Sequence, residues 1–168
     1  MAYEGLSFSV VELERGHRYT LYTVQFQGSD RTEFEKWVHD EDINSHDEFS
    51  RVYSSFRAIS DQGLPDDCFF KQEDYEDYGW VTPFRSEERH AELRLYCIRR
   101  ENANWVLAGN GCIKPDGGPL QQFPDCDFAF NNILSIDRRI RQRISDGTDL
   151  ERGNRGEHLV ENRFYLPE

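Results

Sequence analysis

The sequence predicts an α+β fold, a mainly antiparallel sheet with a helical hairpin and a C-terminal helix packed on one face. Three observations predict it. Segments 91–99 and 105–113 carry strand patterns, the first alternating and the second nearly all apolar. Segments 29–42 and 45–63 repeat their apolar residues at helical spacing. A third helical pattern, over 127–146, follows the second pair of strands, so runs of strands and runs of helices alternate in blocks along the chain.

The first element is a strand pair in "LSFSVVELERGHRYTLYTVQF", turning at Glu14-Arg15-Gly16-His17. β-branched and aromatic residues dominate it, and Gly16 is expected to supply a positive φ in the turn. In the second strand Tyr22, Val24 and Phe26 share a face. "SDRTEFEKWVHDED" predicts a short helix, with Asp30 as cap, Glu33 closing a capping box, and a stripe of Phe34, Trp37 and Val38. "SHDEFSRVYSSFRAISDQG" predicts a longer helix. Ser45 and Glu48 make its capping box, Phe49, Val52, Tyr53, Phe56 and Ile59 its stripe, and Gly63 its C-terminal stop.

Residues 64–88 mix acids and aromatics without a period and predict a long ordered insertion with at most a short strand or helical turn. The hairpin follows. Ala91, Leu93, Leu95 and Cys97 fall on one side of its first strand, and Glu92, Arg94, Tyr96 and Ile98 on the other, with a turn at 101–104. Gly109 and Gly111 flank Asn110 in the return strand and predict a bulge or a close backbone approach. Asp127 is expected to cap the last helix, Ile133, Ile136, Ile140 and Ile144 form its stripe, and Gly147 ends it. One domain over 1–147 is expected, with a polar tail over 148–168 whose "RFYLP" stretch could dock on the body.

Composition narrows the function classes. The 168 residues carry a net charge of −12, unevenly placed. Residues 1–84 hold 18 Asp/Glu against 7 Lys/Arg, whereas residues 85–146 hold 9 against 10. Such a chain repels nucleic acid except where a basic face turns toward it. No apolar run is long enough to cross a bilayer, and the N-terminus lacks a signal-peptide pattern, so a cytoplasmic protein is expected. Cys68, Cys97, Cys112 and Cys126 show no CxxC spacing, and no histidine pair stands at ligand spacing. Metal and cofactor are therefore not expected. The cysteines read as buried reduced thiols, although Cys97 and Cys112 could bond if they faced each other.

The hairpin carries a resemblance. "AELRLYCIRR", a short turn, an apolar strand ending "GNGCIKP", a loop, and a helix of the "IDRRIRQRI" type resemble the RelE/ParE toxin superfamily, closest to its HigB-like, phage-derived branch. The resemblance covers roughly residues 18–146 in element order, and its motif lies within 91–114. It implies a RelE-like fold and a toxin-like, metal-independent endoribonuclease acting on messenger RNA at the ribosome, held in check by a cognate antitoxin, with no DNA or membrane partner. Under it Arg94 matches the arginine of "ELR" and Lys114 the lysine ending the next strand. These two would stabilise charge on the phosphate, and Tyr96 or His90 would move the proton. Arg99 and Arg100 would help hold substrate. A positive patch around Arg94, Arg100 and Lys114 on an open sheet face is the expected surface.

The sequence departs from that family in being long and acidic, in carrying Pro115 where a second lysine is often found, and in the insertion near 64–88. Each residue also has a structural reading. Arg94 could pair with Asp137 or with neighbours of Glu92, Tyr96 could be a strand aromatic, and Lys114 and His90 could be solvated surface groups. The run Arg138, Arg139, Arg141, Arg143 reads as the wet face of a helix. The alternative function is a non-catalytic protein-binding module on the same fold, like the ParE members that inhibit by binding.

Overall fold

A computed structural model gives the fold; it describes residues 7–65, 79–88, 90–100, 103–115 and 118–145, and the backbone alone of 150–153, 156–159 and 163–165. The strands are β1 (Ser7–Arg15), β2 (Thr20–Phe26), β3 (Val81–Phe84), β4 (Leu93–Arg99), β5 (Trp105–Ile113), β6 (Leu150–Gly153), β7 (Gly156–Leu159) and β8 (Arg163–Tyr165). The helices are α1 (Glu33–His39), α2 (Glu41–Asn44), α3 (Phe49–Gln62) and α4 (Pro124–Ser145). Six strands form one mixed sheet in the order β3-β4-β5-β2-β1-β8, and β6 and β7 pair separately. Among the described residues, the one parallel contact of the six-stranded sheet is β2 with β5, over Thr20–Thr23 and Trp105–Ala108. The α+β class is as the sequence predicts.

The helices do not share a face. Leu21, Leu93, Leu95, Cys97, Val106 and Ala108 pack against Phe34, Trp37, Val52, Phe56 and Ile59 of α1 and α3. Phe8, Tyr22, Val24, Tyr96, Ile98 and Leu107 pack on the opposite side with Ala129, Phe130, Ile133, Ile136 and Ile140 of α4. The expectation of a one-faced packing is corrected for a physical reason. Both alternating sets of β4 and β5 are apolar enough to need cover, and a sheet of this kind buries both faces.

Several local signals landed nearby rather than on their residues. Thr32, not Asp30, caps α1, accepting from Glu35 N while Glu35 closes the box. Asp40 caps α2 through bonds to the N–H groups of Asp42 and Ile43. Glu48 sits at the N-cap of α3 without a side-chain cap bond, and Ser45 Oγ instead donates to the Glu41 carbonyl. Gly63 ends α3 at φ 83°, as expected. α4 starts three residues before Asp127, with Pro124 at its first position, where the missing N–H is harmless. Its predicted stop at Gly147 lies outside the described residues.

Gly16 is needed for space, not for a positive φ. A Cβ there would collide with the Ser60 carbonyl, which accepts from the N–H groups of Arg18 and Tyr19. β3 is a short edge strand inside the predicted insertion, and Pro83 is tolerated there because an edge strand has one unpaired side. Arg163–Tyr165 pairs antiparallel with Ser7–Ser9, so part of the expected tail docks as an edge strand.

Candidate functional site

The strand pattern placed the hairpin correctly. β4 and β5 pair antiparallel, with Arg94 opposite Cys112 and Arg99 opposite Val106. Between the Leu95–Gly111 and Cys97–Ala108 pairs the register shifts, and β5 holds the extra residue. The bulge falls at Gly109-Asn110-Gly111, as the glycines predict. A Cβ on Gly111 would collide with the Arg94 carbonyl, which accepts from Trp37 Nε1 at 3.1 Å. Asn110 Oδ1 accepts from the Gly111 N–H at 2.7 Å.

The alternation that puts Arg94 and Tyr96 on one side of β4 turns them to the sheet face on which α4 packs. Arg94 is 4% exposed and Tyr96 2%. Arg94 Nη1 donates to the Ala91 carbonyl at 2.5 Å. Tyr96 packs edge-on against Phe130, with its hydroxyl 3.7 Å from Cys112 Sγ. Neither side chain lies on an open face.

Register separates the remaining residues. His90, Arg94 and Lys114 lie at one end of the hairpin, where the Lys114 N–H donates to the Glu92 carbonyl. Arg99 and Arg100 lie at the other end. Six residues of strand, about 20 Å at the usual rise, separate the two ends. The expected patch joining Arg94, Arg100 and Lys114 is therefore not formed. Lys114 Nζ lies 5.7 Å from the centre of the Phe123 ring, and the Arg100 guanidinium lies 5.4 Å from that of Trp80. Asp137 is not Arg94's partner; it accepts from Arg141 Nε at 2.8 Å.

A cleft lies elsewhere on the sheet. β2 leads into α1 on one face and β5 leads into α4 on the other, so the parallel pair marks a switch point where connections diverge. Crevices at the carboxyl ends of such strands are the usual ligand sites of open sheets. Here the cleft has a volume of about 520 Å³, within the ordinary range for a ligand site. Its walls are the α1–α2 joint (Asp40, Asp42, Ile43), the end of β5 from Asn110 to Ile113, and Asp125, Phe128 and Ala129 of α4. Phe128 is 37% exposed and is the one large apolar side chain so exposed among the described residues. Three aspartates thus stand in the same walls as Phe128.

Cys112 in this wall is bonded to Cys126, joining the end of β5 to the first turn of α4. The expectation of reduced thiols at these two positions is corrected. The bulge sends Cys112 to the α4 side while Cys97 faces α3, so Cys97 and Cys112 cannot meet. Cys97 is buried and free, and burial pushes its thiol well above the ordinary range.

Sequence reasoning missed the cleft because its residues come from three separate segments. The usable signal was the bulge glycines followed by Cys112 and, after the loop, Cys126. The one grouping with metal-ligand spacing among the described residues is His46, Glu48 and Glu92, again distant in sequence. No helix among them is long and apolar enough to cross a membrane. No protein-family model, curated protein or solved structure matches the chain.

Proposed function

We propose that the protein is a binding module that takes a basic, apolar-anchored segment of a partner protein into the cleft at the end of β5. The observation that carries this reading is the make-up of the cleft. Exposed Phe128 stands among Asp40, Asp42 and Asp125 in a chain of net charge −12. Lysine or arginine beside a leucine or phenylalanine is the complement of such a wall. The apolar anchor supplies most of the affinity and the charges supply steering and register.

A second reading rests on one specific observation: Arg94, Lys114 and His90 share an end of the β4–β5 hairpin. In that reading the protein is a RelE/HigB-like endoribonuclease, with messenger RNA and the ribosome as targets and an antitoxin as its inhibitor. It requires a phosphate to reach Arg94, which is buried. Expression of the wild type and Arg94→Ala in bacteria, with growth and messenger integrity followed, separates the two. Binding without cleavage predicts normal growth and intact messenger. Arrest and cleavage by the wild type, lost in Arg94→Ala, would establish the nuclease. The cytoplasmic placement expected from the sequence is likewise proposed, and the Cys112–Cys126 bridge weighs against it; reduced thiols at both positions in cells would support it, and a bridge there would overturn it.

A further inference from the structure

We propose that His46, Glu48 and Glu92 form a site for a divalent transition-metal ion of the zinc class. His46 lies in the turn between α2 and α3, Glu48 immediately precedes α3, and Glu92 immediately precedes β4. One ligand atom from each lies within 4.8 Å of those of the other two. His46 Nε2 stands 3.7 Å from Glu92 Oε1, and His46 Nδ1 stands 3.9 Å from Glu48 Oε2.

The group is held in place by backbone. The Glu48 carboxylate accepts from the N–H groups of Glu92, at 3.1 Å, and Leu93, at 3.4 Å. The Phe49 N–H donates to the His46 carbonyl at 3.0 Å and closes the turn. These bonds leave lone pairs on the Glu48 oxygens.

Charge is the second, independent observation. Among the described residues, His46 is the only ion-pair partner of Glu48 and of Glu92. The nearby Arg51 pairs with Glu87 instead. The His46 and Glu48 side chains are each 16% exposed and Glu92 is 39% exposed, so solvent screens the two carboxylates only in part. A bound cation removes their repulsion.

The donor set selects the class of ion. Imidazole suits zinc and its neighbours, whereas magnesium and calcium take oxygen ligands. Zinc–ligand distances of about 2.0–2.2 Å place neighbouring ligand atoms roughly 3.4 Å apart. The His46–Glu92 pair needs only a small contraction to reach that, and half-exposed Glu92 can supply it.

The proton balance also closes. The Glu48 N–H donates to His46 Nδ1 at 3.1 Å, so neutral His46 carries its proton on Nε2. Metal binding at Nε2 moves the proton to Nδ1. The Glu48 N–H bond to Nδ1 is given up. The ion would clip the α2–α3 turn to the start of β4.

Calorimetric titration of the tag-free full chain with zinc chloride tests this, using wild type, His46→Ala and Glu92→Gln, with magnesium chloride as the second arm. The expected result is one zinc ion per chain, bound at least tenfold more weakly by each variant. Zinc should also raise the melting temperature in the wild type alone. Glu92 is exposed enough for its variant to fold even where His46→Ala does not. Equal zinc binding by wild type and variants, no zinc binding at millimolar concentration, or preference for magnesium would each overturn the proposal.

Discussion

Asp137 offers a quantitative test of how α4 meets the sheet. Its side chain is fully buried. Oδ2 accepts from Arg141 Nε at 2.8 Å, and Oδ1 has no hydrogen-bond partner. Gly79 lies so close that a Cβ there would collide with Oδ2. Burial raises the Asp137 pKa from 3.8 to about 6, against the lowering pull of Arg141, the Trp80 backbone N–H and Arg138. The folded state therefore holds this proton more tightly than the unfolded chain does. Between those two pKa values the folded state binds more protons, so stability falls as pH rises through the window. At pH 7 the ionised carboxylate costs about 3 kcal/mol relative to an unshifted one. Lowering the pH from 7 to 5 should return about 1 kcal/mol of that.

The perturbation is Asp137→Asn, which keeps the shape and removes the titration. Half-exposed Arg141 can then turn to water. Urea midpoints at pH 7 and pH 5 give the assay. The wild type should gain about 1 kcal/mol more than the variant on going from pH 7 to pH 5. Glu33, whose pKa burial also raises, is present in both proteins and cancels, as does Asp61, whose pKa the His17 hydrogen bonds lower. Equal changes in the two proteins would refute the view that Asp137 is a buried, destabilising charge.

Two further outcomes follow from the same packing. The Cys112–Cys126 bridge closes a loop of sequence separation 14, so Cys112→Ser, or reductant added to the wild type, should lower stability by about 3 kcal/mol. Urea unfolding with and without dithiothreitol checks this, and no effect of either change would refute the bridge. Gly111→Ala should lose at least about 2 kcal/mol, because the added methyl meets the Arg94 carbonyl and the Trp37 indole. A variant with a wild-type urea midpoint would show that the bulge relaxes freely.

The hairpin was legible because strand alternation is a local signal, and it sorted the β4 side chains to their correct sides. It could not say what covers each side. Ile133, Ile136 and Ile140 announced an apolar face on the last helix, but nothing local says which sheet face receives it. Arg94 and Tyr96 thus read as open when both are buried, Tyr96 against α4. The caps shifted by a few residues because several Ser, Thr and Asp stand near each helix start, and tertiary bonds choose among them. Glu48 looked like half of a capping box, yet its carboxylate binds the backbone of Glu92 and Leu93 instead. The cleft and the His46 grouping are joined only by register and long-range pairing, which no window of sequence contains.

The proposed partner of the acidic, Phe128-bearing cleft is a basic segment. Selection from a library of random displayed nonapeptides on the wild-type protein, followed by Kd measurement on Phe128→Ser and Asp42→Asn, tests it most directly. The expected result is enrichment of lysine or arginine beside leucine or phenylalanine, with affinity about tenfold weaker in the Phe128→Ser variant, the loss of one interfacial anchor. Enriched peptides that are acidic, or that bind both variants as tightly as the wild type, would contradict it.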